Sequence, residues 1–317
     1  MNRFCQAAAL LLSFVVALPQ AFAQAPVRIG MTLSLTGPIA APGAIQKVAT
    51  ETYVEDLNRR GGLLGRKVEL ILKDDQSRPD MARTLYEQLV TVDKVDLIMG
   101  PYGTANILSA MAVAQRYNKI LLHNSFGTPR QAKYEMQFST SGGAFDIEDV
   151  WPNLVLNAVG SAPKPPKTIA IVTSKFPSLH FISVGAREVA KKRGLTEVLF
   201  LEYEFGNRDF GPIASRLKDA KAGLPDTSVD LLASICYSMW QTLETAANAT
   251  RSIDDKTLAA WLRKNHVDSI MGRLEWGGPQ NYVTGKDIYK IKQLQGGKWQ
   301  VVWPPEFAAP GAKLLGN

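Results

Sequence analysis

The sequence predicts an α/β protein of parallel sheets flanked by helices, arranged in two units. Three observations lead there. From Val27 onward, apolar runs of strand length alternate with amphipathic runs of helix length, the pattern of successive βαβ crossovers. The rhythm pauses at "QFSTSGGAFD", near residues 135–145, and then restarts, which divides the chain into two sheets. The chain has 317 residues, 46% of them hydrophobic, enough for two cores.

The first element to set aside is the N-terminus. "MNRFCQAAALLLSFVVALPQAFAQ" carries Arg3, an apolar run from Ala7 to Leu18, and Ala21-Phe22-Ala23. This reads as a secretory signal peptide cleaved after Ala23. The alternative, a membrane anchor, needs ~20 apolar residues, and neither this run nor any later one reaches that length. An exported mature chain without stable membrane insertion is expected. Cleavage removes Cys5 and leaves Cys236 alone, so no internal disulfide is expected. Cys236 shares helical spacing with Trp240, Leu243 and Ala247 and reads as a buried core thiol.

Val27–Leu33 reads as a buried strand, followed by a Gly/Pro loop and a helix over Ala44–Asn58 with Ala49, Tyr53 and Leu57 on one face. "RRGGLLG" stops that helix, and "KVELILKDD" alternates as a strand. The next helix places Met81, Leu85 and Leu89 on one face. "VDLIMG" is a strand, "TANILSAMAVAQRYN" a helix and "KILLHN" a strand, so the first third reads β-α-β-α-β-α-β. In the second unit "VWPNLVLNAVG" is a helix, "TIAIVTS" a strand, "HFISVGAREVAKKRG" a helix, "VLFLEYEF" a strand and "DFGPIASRLKDAKA" a helix.

The alternation then breaks. "KDAKAGLPDTSVD" stands where a strand is due, and two helices follow, the second with Ser252 and Asp255 as its expected N-cap pair. The end alternates as strands, with Gly296-Gly297 turning a hairpin.

Catalytic and cofactor motifs do not appear. The three histidines, His123, His180 and His266, lack metal-ligand spacing, and there is no nucleophile elbow, P-loop or dinucleotide fingerprint. An enzyme, a metal site and a cofactor are therefore not expected. The net charge of +7 is spread over short clusters such as "NRRGG" and "AKKRG", which solvated helix ends explain more simply than a nucleic-acid groove. Asp74 and Asp75 read as solvated turn and cap residues.

In open α/β sheets, ligands bind at the carboxyl ends of the strands. Three loops stand there. Tyr102, Gly103 and Thr104 follow "VDLIMG" and open a helix, where a hydroxyl beside free backbone N–H groups suits an anion. Ser125, Phe126 and Gly127 follow "KILLHN", and Phe176 and Ser178 follow "TIAIVTS". Thr104 serves equally as a plain helix N-cap, and the other two loops serve equally as surface turns.

Taken together, "VRIGMTLSLTGPIAAPG", "LNRRGGLLGRKVELILKDDQSRPDMA", "LIMGPYGTANILSAMAVAQRYNKILLHNS", "EFGNRDFGPIASRLKDA" and "GKWQVVWP" resemble the type I periplasmic solute-binding proteins of ABC importers, in the leucine/isoleucine/valine-binding branch. The resemblance runs along nearly all of the mature chain. It implies two α/β lobes, 24–138 with 224–270 and 139–223 with 271–317, closing by a hinge on a small ligand. It assigns the ligand carboxylate to Thr104 and further contacts to Ser125, Phe126 and Gly127. Phe126 departs from the small residues of the branched-chain binders, and Ser178 departs from an aromatic that neighbouring Phe176 replaces. The implied partner is an inner-membrane ABC permease, and the implied ligand an amino acid or related small carboxylate. Strands that the family places after "DFGPIASRLKDAKA" are missing, which implies an internal deletion and a truncated second lobe. The alternative function is a degenerate homologue acting as a sensor or ligand carrier, or binding nothing.

Overall fold

A computed structural model describes residues 24–124, 133–141, 147–220, 227–228, 232–277 and 290–315. Residues 1–23, where a leader and its cleavage site are expected, and the loop 125–128 lie outside the described residues.

The first strand, β1 (Val27–Leu33), is buried along nearly its whole length, as a continuous apolar run in a parallel sheet demands. It pairs in parallel with β2 (Val68–Asp74) on one side and β3 (Leu97–Met99) on the other. Beyond β3 lie β4 (Leu121–His123) and β5 (Gln137–Ser139), so a five-stranded parallel sheet runs β2-β1-β3-β4-β5. The fifth strand is the one the sequence did not announce. It spans three residues, "QFS", too few to show a period.

Helices α1 (Ala40–Arg59), α2 (Pro79–Thr91) and α3 (Thr104–Tyr117) connect the first strands. The α2 face differs from expectation by one residue. Ala82, Tyr86 and Leu89 are buried, whereas Met81 and Leu85 are half-buried. Tyr86 decides the rotation, because its phenol donates to the Met99 carbonyl at 2.6 Å in the core. The α1 face is also more polar than expected. Gln46 and Thr50 are buried beside Tyr53 and Leu57, while Ala49 is half-exposed.

The second unit carries α4 (Ile147–Gly160), β6 (Thr168–Ser174), α5 (Pro177–Lys192), β7 (Thr196–Tyr203) and α6 (Gly211–Asp219). Strands β6 and β7 form a two-stranded parallel sheet, and α4 packs on α5. The break in the sequence contains a two-residue strand, β8 (Thr227–Ser228). It pairs antiparallel with β11 (Ile291–Gln295), which forms the expected hairpin with β12 (Lys298–Trp303) across Gly296 and Gly297, both at positive φ.

Between these segments the chain returns to the main core through α7 (Leu232–Thr250), α8 (Asp255–Leu262), β9 (His266–Ser269) and β10 (Gly272–Glu275). Trp240 and Tyr53 stack at 6.0 Å where α7 meets α1, and Cys236 lies fully buried 3.2 Å from the Thr50 hydroxyl. Burial pushes the Cys236 thiol up to about 11. The N-cap of α8 is Asp254, whose Oδ1 accepts from Thr257 N, and not Ser252. Asp255 turns inward instead, pairing with Lys119 and accepting from Ile120 N at 2.8 Å each.

One large core holds residues from Val27 to Phe138 and from Ile235 to Trp276. Smaller clusters hold Leu156, Val189 and Ala190, and Ala158, Ile291 and Val302. Met271, Leu274 and Trp276 belong to the large core, beyond residue 270, where the sequence put the passage to the second lobe. Around that passage the segments are tied together. Trp276 Nε1 donates to the Ser139 carbonyl at 2.7 Å, and the Thr140 hydroxyl donates to the Ile235 carbonyl at 3.2 Å.

Candidate functional site

The carboxyl ends of β1, β2 and β3 converge on one set of loops. After β1, Ser34 to Thr36 are held by the two acids that end β2. Asp75 is fully buried, not solvated as the sequence suggested. It accepts from Thr32 Oγ1 at 2.8 Å, Ser34 Oγ at 2.5 Å and Ser77 N at 3.1 Å. Asp74 accepts from Leu35 N, Thr36 Oγ1 and Gln76 N. Burial opposes the Asp74 charge, but these hydrogen bonds outweigh it and hold the carboxyl below its usual range. The two acids are therefore structural clamps on the loop that leads to α1.

Beside that loop stands the turn from β3 into α3. Gly103 is the N-cap of α3 and adopts φ +91°, a conformation open to glycine. Having no side chain, it makes no capping bond to the first turn. Thr104 is thus the first helical residue and not the cap, and it is 1% exposed. Asn106, two residues on in the same first turn, donates to Ser34 Oγ at 3.5 Å. Tyr102 is half-buried, and burial raises its phenol pKa.

From the second unit, Phe176 reaches this turn. A Cβ on Gly103 would stand 3.4 Å from Ile39 Cδ1 and 3.7 Å from Phe176 Cζ, so the Phe176 ring edge lies over the glycine at van der Waals range. Phe176 packs in turn on Phe205, with centroids 4.7 Å apart. It is the N-cap residue of α5, which begins at Pro177, three residues before the sequence placed it. Ser178 is consequently inside the first helical turn and buried, not on a loop. Of the residues singled out in the sequence, Gly103 and Phe176 are brought together, with Tyr102 and Thr104 flanking the glycine. Ser125, Phe126 and Gly127 lie outside the described residues. Ile39 and Phe205 escaped the sequence analysis, although Phe205 follows β7 and the strand-end rule applied to it as much as to Phe176.

A separate groove of about 620 Å³, lined by residues including Asn118, Tyr134, Met136 and Arg263, lies at the amino ends of β4 and β5. It is on the far side of the sheet from the loops just described, so strand-end geometry, and not groove volume, locates the candidate site. Among the described residues no group of acids, histidines or cysteines is arranged to hold a metal.

Two groups of α/β elements meeting over strand-end loops define a two-lobed α/β protein. The chain belongs to the periplasmic binding protein family, whose model matches residues 26–224. It is similar to the Leu/Ile/Val-binding protein BraC3 of Rhizobium johnstonii, 26% identical over 201 residues, 63% of this chain and 53% of that protein. The chain spans about half the length of the curated relatives it matches. Among solved structures, it resembles the substrate-binding protein LivJ of Streptococcus pneumoniae in complex with isoleucine, with TM-score 0.70 and 15% identity over 86% of this chain and 97% of that one. It also resembles a solute-binding protein of an ABC transporter from Rhodopseudomonas palustris BisB5, solved with 3,4-dihydroxybenzoic acid, with TM-score 0.71 and 18% identity over 87% and 95%. The fold is therefore that of the type I periplasmic binding proteins. No helix among the described residues is long and apolar enough to cross a membrane.

Proposed function

We propose that the protein is the periplasmic substrate-binding component of an ABC importer, exported by a leader cut after Ala23, and that it holds an amino acid or related small carboxylate between its lobes. The approach of Phe176 to Gly103 carries this reading, because it brings the strand-end loops of the two α/β units into contact. Similarity to Leu/Ile/Val-binding proteins and to neighbours solved with isoleucine or a benzoic acid supports the ligand range. In this proposal the lobes are 24–138 with 232–277 and 147–220 with 290–315. Ligand bridges them and stabilises a closed state that an inner-membrane permease recognises. The N–H groups opening α3, with Thr104, receive the carboxylate, and the ring of Phe176 covers the rest.

A calorimetric screen of amino acids and small carboxylic acids against the mature chain tests this. Saturable binding by at least one class is expected. Thr104→Ala is expected to weaken that binding by ~1–3 kcal/mol, the scale of a hydrogen bond lost to a charged group. Unchanged affinity would remove Thr104 from the site.

A second reading, a shortened homologue without transport activity, is favoured by one observation. α6 has no buried residue, and β7 pairs only with β6 among the described strands. No heat and no melting shift with any ligand would select it.

A further inference from the structure

We infer that a single buried water is built into this fold where α1 meets the carboxyl end of β4, held between the side-chain amides of Gln46 and Asn124. This site stands apart from the cleft proposed above and needs no ligand in it.

Gln46 lies in the second turn of α1, and Asn124 directly follows β4. They are 0% and 1% exposed. Asn124 Nδ2 donates to Gln46 Oε1 at 2.8 Å. Two amides set face to face exchange two such bonds, but this pair makes only one. Gln46 Nε2 and Asn124 Oδ1 are left with no hydrogen-bond partner in the protein. The count does not depend on how the amide oxygens and nitrogens are assigned. Turning both amides over exchanges their roles and again strands one N–H donor and one carbonyl oxygen. Buried amide ends without a partner are rare in native proteins, because each carries the full cost of its lost hydration.

The chemistry of the stranded atoms names the occupant. One is a donor and the other an acceptor, and they sit on the two amides joined by the same 2.8 Å bond, so one small molecule reaches both. Water accepts from Nε2 and donates to Oδ1 at once. The neighbouring groups are neutral. The Cys236 thiol stands beside Asn124, 3.2 Å from the Thr50 hydroxyl, and donates to the Gln46 carbonyl at 3.6 Å. Trp240 Nε1 donates to Thr50 Oγ1 at 3.3 Å. A cation would face the Gln46 N–H, and an anion would face the Asn124 oxygen, so neither fits both atoms. The bridge joins α1 to the end of β4 beside the start of α7, and so fixes the point at which the chain leaves the sheet after Asn124.

A crystal structure of the mature full chain, at a resolution that shows ordered solvent, tests this. One water peak within hydrogen-bond distance of both amides is expected. Two amides exchanging both bonds directly, or no peak between them, overturns the inference. Gln46→Met, similar in length and without the amide, is expected to lose the peak and to lower the melting temperature. A peak that stays in place in Gln46→Met also overturns it, since other groups then hold the water. Asn124→Leu is expected to melt lower as well, because it strands the Gln46 amide. The double variant leaves no amide unpaired, so it is expected to melt no lower than either single variant. Losses that simply add in the double variant overturn the shared site. Where one single variant fails to fold, the unaltered chain and the double variant still decide.

Discussion

Removing the Asp75 carboxylate should unfasten the loop that builds one wall of the cleft. The carboxylate, Thr32 and Ser34 are all fully buried. In Asp75→Ala the Thr32 and Ser34 hydroxyls and the Ser77 N–H lose their partner. A buried donor left unpaired costs about 1–3 kcal/mol, so the two hydroxyls alone place the loss at about 2–6 kcal/mol. That is a large part of the ~5–15 kcal/mol stability of an ordinary domain. Asp75→Asn separates charge from shape. Its Oδ1 still accepts one hydrogen bond, and a hydroxyl can rotate to accept from the new amide, so roughly half of the loss is expected. Urea unfolding followed by fluorescence of the six tryptophans measures both variants. A loss under ~1 kcal/mol for Asp75→Ala, at unchanged denaturant slope, would refute the clamp.

Two further outcomes follow from packing. A Cβ at Gly185 would stand 1.7 Å from the Glu148 carbonyl oxygen, so Gly185→Ala must push α5 off α4. A loss of about 1–3 kcal/mol or more is expected, read as a lowered melting temperature, and an unchanged melt would deny the close approach. Cys236 should be inert to iodoacetamide at pH 8 in the folded protein and react on unfolding. With its pKa raised to about 11 by burial, only about a thousandth is thiolate at that pH, against roughly a quarter for a free thiol. Labelling of the native protein at the free-thiol rate would show that α7 does not bury it.

The alternation of strand and helix was readable because each element of the first sheet needs a long apolar face, and β1 and β6 stand where the apolar runs began and ended. What escaped was decided by partners distant in sequence. β5 is three residues long and exists because β4 supplies its hydrogen bonds. The α2 face follows Tyr86, whose phenol finds a backbone carbonyl thirteen residues on. Asp75 read as a turn residue because its local sequence, "KDDQS", is that of a turn. Its burial is set by Thr32 and Ser34, more than forty positions earlier. The candidate site shows the same division. Gly103 and Thr104 were legible from the strand-end rule, but the contact of Gly103 with Phe176 depends on how two groups of elements meet, which no local pattern encodes.

The division of labour between the two groups also bears on where binding strength can come from. The family match ends at residue 224, shortly after α6, a helix with no buried residue. The large core lies almost wholly on the other side, with Trp240, Tyr86 and Phe138 buried in it. The second group has a two-stranded sheet, β6 with β7, a three-stranded one, β12-β11-β8, and only two small buried clusters, Leu156 with Val189 and Ala190 and Ala158 with Ile291 and Val302. A group with so small a core contributes few rigid positions. The residue that reaches Gly103, Phe176, sits at the start of α5, the helix whose Gly185 packs directly on the α4 backbone. The α4–α5 contact is therefore the element that fixes the second wall. A variant that loosens it, Gly185→Ala above all, should weaken ligand closure even though it touches no residue of the site.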